Sequence, residues 1–510
     1  MKTPLAIKFA LCLCILASVM LSNGLLAQDT QQGHKAESPT LTVASKSFTE
    51  SVILAELLRQ LAVDSGSASE HISQLGGTRI VWNALLAGEI DAYVDYSGTL
   101  QQEILQLSGS TSWDALAEGL AEYGVRISRP LGFNNTYALG MPQELAKSLG
   151  LERISQLREH PDVVMGFSNE FMDRPDGWPG VRMNYQLPQQ SVTGLDHDLA
   201  YRALQSGDIQ LTDLYSTDAE VDYYQLQVLD DDEHFFPPYQ ALIVYRADVE
   251  NRFPEVLTAW KQLTGHIDAT QMSQMNAQVK IHGKGEAQVA STFLQAQLGI
   301  TSMAQGIAKP SALSEVARYT WDHLQLVLVS LFMAIVVAIP LGIFAAKNAS
   351  IGRGILALSS VLQTIPSLAL FVVLIPLLGI GAAPAIAALF LYSLLPIVRN
   401  THSGLTQIPQ HLQDSSRALG LSPGYRLRRI ELPLALPTII AGIQTAAVIN
   451  VGTATLAALV GAGGYGQPIL TGIRLDDFGL ILQGAAPAAL MAVAVQGGFQ
   501  WLGGRLTAKH

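Results

Sequence analysis

The sequence predicts an exported α/β domain followed by an all-α polytopic membrane domain. Three observations carry this expectation. Hydrophobic residues make up 49% of the 510 positions and charged residues 14%, against roughly 25% charged in ordinary soluble domains. The charge is also split: residues 1–310 hold 20 Lys/Arg against 36 Asp/Glu, while the rest of the chain holds 11 against 6. Finally, long uncharged runs crowd the second part, whereas the first has the mixed texture of a folded globular domain. Intrinsic disorder, a basic nucleic-acid binder and a fully cytosolic enzyme are disfavoured together.

Lys2 and Lys8 precede an apolar run, Phe9 to Leu26, which ends at Ala27 before Gln28. This is the pattern of a secretory signal over residues 1–27. Leu25 suits the cleavage site poorly, so an uncleaved anchor is the alternative; the following segment is exported either way. Cys12 and Cys14 lie inside this run, so its removal leaves no thiol for a disulfide, a cysteine zinc site or a nucleophile. The histidines are scattered and predict no metal site. Residues 28–40, largely polar, read as a tether.

From residue 41 to 300, β-type runs such as Leu41–Ser45 and Ala241–Tyr245 alternate with amphipathic stretches such as Glu50 to Ala62. Ser47 and Thr49 are the candidate caps for the first helix. The acidic run Asp230 to Glu233 reads as a solvated turn, its spacing being wrong for a calcium loop. Residues 301–313, with Gly306 and Pro310, form a second linker.

Residues 314–510 are membrane-like. Uncharged or nearly uncharged stretches at Trp321–Ala346, Ile355–Val398 (two passes, broken near Gly379 to Pro384), Leu434–Ile473 and Phe478–Gly504 give five spans. Basic residues collect at Lys347/Arg353, at Arg399/Arg417/Arg426/Arg428/Arg429 and at Arg505/Lys509, three regions that five spans place on one side. That side is the cytoplasm, and the N-terminal domain is then outside.

The cytoplasmic stretch Asp414-Ser-Ser-Arg-Ala-Leu-Gly420 to Ile430-Glu-Leu432-Pro433 resembles the coupling loop of binding-protein-dependent ABC importer permeases, with Asp-Ser-Ser in place of Glu-Ala-Ala. A short helix ended by Gly420 and re-aimed at Pro423 makes a rigid knob. The resemblance implies that Asp414, Gly420, Ile430, Leu432 and Pro433 couple to an ATPase. Gln363-Thr-Ile-Pro-Ser-Leu-Ala369 and Gly452 to Gly466 extend it to the glycine betaine/choline/carnitine branch. Gly461 to Gly466 (GAGGYG) follows an apolar span without a strand, so tight packing or a break is expected, not dinucleotide binding. No GxxxxGK[ST] occurs, which assigns ATP to a separate cytoplasmic ABC ATPase subunit and leaves this chain without a cofactor.

In the exported part, Lys46-Ser-Phe-Thr-Glu50, Leu75-Gly-Gly-Thr78, Gly88 to Thr99, Phe133-Asn-Asn-Thr-Tyr137, Phe171 to Gly177 and Phe235-Phe-Pro-Pro-Tyr239 follow in order. Together they resemble the quaternary-ammonium-binding proteins of osmoprotectant importers. The resemblance implies a two-lobed periplasmic-binding-protein domain of type II, fused here to an ABC-type permease domain in a bacterial inner membrane, working as a homodimer. It also implies an aromatic cage of Tyr96, Tyr137, Tyr215 and Tyr239. Such a cage suits a cation with no N–H to donate, each ring contributing about 0.5–2 kcal/mol. Lys46, Thr99 and Arg174 fall where a betaine carboxylate is bound, and Asn135 stands where related binders have Asp. Choline would leave Lys46 and Arg174 without a counter-charge, so a carboxylated betaine is expected, with choline, carnitine and ergothioneine as alternatives. A membrane receptor is the rival function; no nucleophile–base pattern favours an enzyme.

Overall fold

The computed structural model describes residues 39–107, 112–300, 312–475 and 477–507. The expected signal, most of the tether and all but the end of the second linker lie outside the described residues.

The N-terminal part builds two lobes. β1 (Leu41–Lys46), β2 (Ser69–Gly76), β3 (Ala92–Tyr96) and β4 (Val125–Ile127) belong to the first. The chain then crosses and forms β5 (Tyr137–Pro142), β6 (Met165–Ser168), β7 (Val192–Leu195), β8 (Thr212–Tyr215) and β9 (Leu226–Leu229). It returns as β10 (Ala241–Arg246), which lies antiparallel between β3 and β4 in the sheet order β2-β1-β3-β10-β4. β1, β3 and β10 are almost wholly buried, and β10 is accordingly a near-continuous apolar run from Ala241 to Tyr245. In the second lobe β8-β5-β9 is antiparallel and β6-β7 parallel. The two crossing segments pair at Asn134 and Gln240, so the junction between the lobes is itself hydrogen-bonded.

The first helix, α1 (Thr49–Asp64), is buried from Thr49 to Leu58. It is sandwiched because α4 (Ala269–Lys280) and α5 (Glu286–Leu298) cover the side away from β1. Neither expected cap operates: Phe48 occupies the N-cap without a side-chain bond, while Ser51 Oγ accepts from the Lys46 amide at 2.8 Å. Two further helices frame the site, α2 (Thr78–Ala87) in the first lobe and α3 (His197–Ser206) in the second.

The membrane part consists of α6 (Ala312–Lys347), α7 (Ala349–Thr364), α8 (Ser367–Leu378), α9 (Ala382–Thr406), α10 (Gln410–Ala418), α11 (Leu432–Thr453), α12 (Gly466–Arg474) and α13 (Phe478–Thr507). Among the described residues, four helices are long and apolar enough to cross a membrane, or five if the α7–α8 pair, bent by 97°, counts as one span. The bend falls at Pro366, which cannot continue the helix before it. The expected break near Gly379 is present, with Gly379 and Gly381 both at positive φ. The expected span Leu434–Ile473 is corrected: it ends by Val460, and α12 is a separate short helix. GAGGYG is the turn between them, with Gly461, Gly463 and Gly464 left-handed.

Close helix crossings rest on small residues. A Cβ on Gly342 would meet Thr401 Cβ at 2.5 Å, and one on Gly442 would meet Asn400 Cβ at 2.6 Å. Asn450 ties three helices, donating to Ser330 Oγ and accepting from Ser393 Oγ, each at 3.0 Å.

Candidate ligand site between the lobes

The site starts from the turn after β1. Because α1 begins at Thr49, Phe48 and Glu50 are aimed at the junction of the lobes. Glu50 is buried and accepts four hydrogen bonds: from Tyr96 Oη and Asn135 Nδ2 on one oxygen, and from Thr217 Oγ1 and Asn276 Nδ2 on the other. These donors come from β3, a crossing segment, the turn after β8, and α4. Burial pushes the Glu50 carboxyl above its ordinary value, although the donors oppose the shift. Glu50 thus fastens both lobes at one point.

The expected tyrosines are brought together. Tyr137 lies 5.2 Å from Tyr215 and 5.6 Å from Tyr239, ring centre to ring centre. Tyr96 joins them through Phe48, which is 6.3 Å from Tyr96 and 5.7 Å from Tyr215. Gly98 makes room, since a Cβ there would sit 2.6 Å from the Tyr239 ring. Two of the protein's own cations already lie over these faces: Lys46 Nζ is 5.3 Å from the Tyr96 ring centre, and the Arg174 guanidinium carbon 5.6 Å from that of Tyr137. An open cleft of about 150 Å³ beside them is lined by Lys46, Phe48, Gly77, Glu170, His197 and Tyr215.

Lys46 and Arg174 are buried, as is Thr99, which ends the turn of helix after β3. The argument that choline would strand both cations is overturned, because each already has a counter-charge. Lys46 Nζ lies 2.6 Å from Asp95 Oδ1 and 3.4 Å from Thr78 Oγ1. Arg174 grips Asp176 with two nitrogens, at 2.8 and 2.6 Å, and reaches Glu103 with the third at 2.8 Å. Tyr239 Oη donates to the same Asp176 carboxylate. The guanidinium therefore sets the orientation of the Tyr239 ring through a carboxylate.

Several participants were not foreseen: Phe48, Glu50, Asp95, Asp176, Thr217, Asn276 and a group around His197. His197 stacks on Tyr215 at 4.5 Å and bonds Asp218 through Nε2 at 3.0 Å. Burial works to lower its pKa, but the carboxylates of Asp218 and Asp213 outweigh it and hold the imidazolium well above the ordinary histidine range. Asp218 also accepts from the Tyr215 amide at 2.8 Å, so this group holds Tyr215 by both its backbone and its ring. Phe48 and Glu50 sit in a motif read from sequence, but its only legible local signal was a helix start. The acidic run at Asp230 is more than a solvated turn: Asp231 accepts from the amides of Phe235 and Phe236 and from Tyr185 Oη.

In the membrane part, α10 is closed by Gly420 at φ 68°, and Ser422 Oγ caps the next turn by accepting from the Tyr425 amide. Ile430 lies in the turn of π-helix Leu427–Glu431, and Leu432 and Pro433 open α11. Asp414 pairs with Arg417 on the surface at 3.1 Å. Leu419 and Tyr425 stand exposed on this projection.

Residues 39–296 match the family described as the substrate-binding domain of ABC-type glycine betaine transport systems. Residues 338–506 match the inner membrane component of binding-protein-dependent transport systems. Over 196 residues the chain is 42% identical to the osmoprotectant import permease protein OsmW of Salmonella typhimurium, spanning 38% of this chain and 89% of that protein. It is 39% identical to the choline transport system permease protein OpuBB of Bacillus subtilis over 36% of this chain and 83% of that one. A crystal structure described as a glycine betaine/carnitine/choline ABC transporter shares 31% identity with a TM-score of 0.44, covering 50% of this chain and 98% of the other.

Proposed function

The chain belongs to the family of ABC-type glycine betaine substrate-binding domains, here continued by a binding-protein-dependent permease domain, and from this premise we propose that it captures and imports a carboxylated betaine. It is an osmoprotectant importer component and not an enzyme. The observation that carries the ligand class is the ring set at the lobe junction, whose faces already accept the cations of Lys46 and Arg174. A quaternary ammonium offers the same diffuse charge to Tyr96, Tyr137, Tyr215 and Tyr239, with Asn135 as the polar neighbour.

The carboxylate end is assigned to Lys46 and Thr99. An ammonium has three donors, and Lys46 directs two toward Asp95 and Thr78, which leaves one. Arg174 acts through Asp176 on Tyr239. One observation favours choline as a second reading: Lys46 and Arg174 are already compensated by Asp95, Asp176 and Glu103, the last shared with Arg79, so neither cation needs a carboxylate from the ligand.

The binding lobes belong on the external side, residues 41–300 forming the binding domain and 314–510 the permease. In support, the lobes pack on the turns around Gly379 and Gly461, whereas Lys347 ends α6, Arg417 lies in α10 beyond the end of α9, and Arg428 lies in the turn that leads into α11. A cytoplasmic ABC ATPase engages the projection at Asp414, Gly420, Ile430, Leu432 and Pro433, and supplies the energy from ATP. Two such permease domains form the transport unit. Calorimetry on the full chain in nanodiscs with glycine betaine, choline, carnitine and ergothioneine tests the ligand class. Heat with glycine betaine supports the first reading; no heat with any of the four sinks it.

A further inference from the structure

The membrane domain returns to the binding lobes through α12. Arg474, its last residue, is buried and reaches Thr49 Oγ1 with one nitrogen at 2.9 Å and Glu286 Oε1 with another at 2.5 Å. Its Nε–H, also buried, has no acceptor among the described residues. Thr49 opens α1 and stands between Phe48, a ring of the ligand site, and Glu50, the carboxylate that fastens the lobes. One turn earlier on α12, Thr471 Oγ1 accepts from Gln74 Nε2 at 2.9 Å. Gln74 itself holds a left-handed φ of 58°, a conformation that a non-glycine side chain adopts where its surroundings hold it.

These contacts all fall on the first lobe, but α12 also lies against α3 of the second lobe, the helix that His197 begins. A separate anchor secures the first lobe: Glu89 accepts from the Ile380 amide at 2.6 Å. One short membrane-domain helix therefore touches both lobes, while an independent contact holds one of them still. Movement of α3 as the cleft opens or closes must be felt at α12, and movement of α12 is delivered by the Arg474 guanidinium to the start of α1.

We propose that Arg474 is the positioning residue that couples the membrane domain to the ligand cleft, by clamping Thr49 and Glu286 while its helix spans the two lobes. The inference rests on the importer reading but names a role that the ligand residues do not have. A guanidinium suits it: two separate acceptors are held by one rigid planar fork, whereas a lysine ammonium is a point charge on a flexible stem. The unused Nε–H gives the clamp a donor for a second arrangement of the lobes.

The test uses the full chain with its ATPase in proteoliposomes, glycine betaine being the probe. Arg474→Glu places like charges at Glu286; uptake should fall by at least about tenfold, within the usual range of coupling between sites, while binding of glycine betaine changes by less than about threefold. Adding Glu286→Arg should restore uptake. Uptake within about twofold of wild type in Arg474→Glu would overturn the proposal. So would parallel loss of binding and uptake that the charge swap does not rescue. If wild-type chain binds none of the four ligands, the ligand reading fails while the contact is still testable. In a chain with Cys12 and Cys14 replaced by serine, a short bismaleimide should link Gln74→Cys to Thr471→Cys. Arg474→Glu should abolish that link and the swap recover it; equal linking in all three rejects the clamp.

Discussion

Replacing Arg174 by alanine separates two roles that the ligand site allows for it. The guanidinium makes two bonds to Asp176 and one to Glu103, and both Arg174 and Asp176 are buried. Breaking a buried pair by removing one partner costs about 3–5 kcal/mol, because the remaining charge is left uncompensated. Asp176 keeps the bond from Tyr239 Oη, but the carboxylate loses its bidentate hold and that ring its fixed orientation. Misplacing one cage face removes about 0.5–2 kcal/mol of cation attraction, or roughly a 2- to 30-fold loss of affinity. The loss should be the same for glycine betaine and choline, since both carry the ammonium that the rings hold. Calorimetry with each ligand, alongside the unfolding midpoint of the same full-length chain, measures both quantities. A drop for glycine betaine more than about tenfold larger than for choline, with unchanged unfolding, would refute this reasoning and show that Arg174 binds the carboxylate directly.

Other outcomes follow from the same geometry. Tyr96→Phe keeps the ring but takes one donor from Glu50; thermal unfolding should reveal a loss of about 1–3 kcal/mol, with ligand affinity nearly unchanged, whereas a large affinity loss would show that the hydroxyl touches the ligand. Burial pushes the Glu56 carboxyl up, but hydrogen bonds from His71 and Arg59 outweigh it and bring it down to about 2 from an ordinary 4.5. Since the folded value is depressed, its contribution is present above pH 4.5 and is lost as the pH falls toward 2; Glu56→Gln should flatten the unfolding profile across that window, and an unaltered profile would exclude Glu56 as its source. Gly420→Val forces a β-branched residue into a left-handed φ, costing about 1–3 kcal/mol locally; uptake and ligand-stimulated ATP hydrolysis should fall while ligand binding persists, and normal uptake would remove Gly420 from the coupling projection.

Much of the architecture is written in local pattern. Uncharged runs announce the apolar helices because a membrane solvent imposes length and composition on every segment that crosses it. Gly420 ends α10, and Gly379 and Gly381 break the second run, because left-handed backbone is a property of single residues. The limit of such reading lies where an apolar stretch folds back: Leu434–Ile473 carries no charge throughout, yet α12 is a separate helix that packs on α13 and also meets the binding lobes.

The ligand site divides the same way. The order of motifs along the chain was enough to identify the family and to name Tyr96, Tyr137, Tyr215 and Tyr239, which the fold brings together. What the chain alone left undetermined is pairing. Glu50 draws a donor from Asn276, 226 positions away, and Arg474 finds Thr49 across 425. Lys46 and Arg174 looked like free cations until the folded chain set Asp95, Asp176 and Glu103 against them. Periodicity and turn chemistry act between neighbours in sequence. Charge compensation and hydrogen bonding act over a few ångströms of space, so they belong to the three-dimensional arrangement.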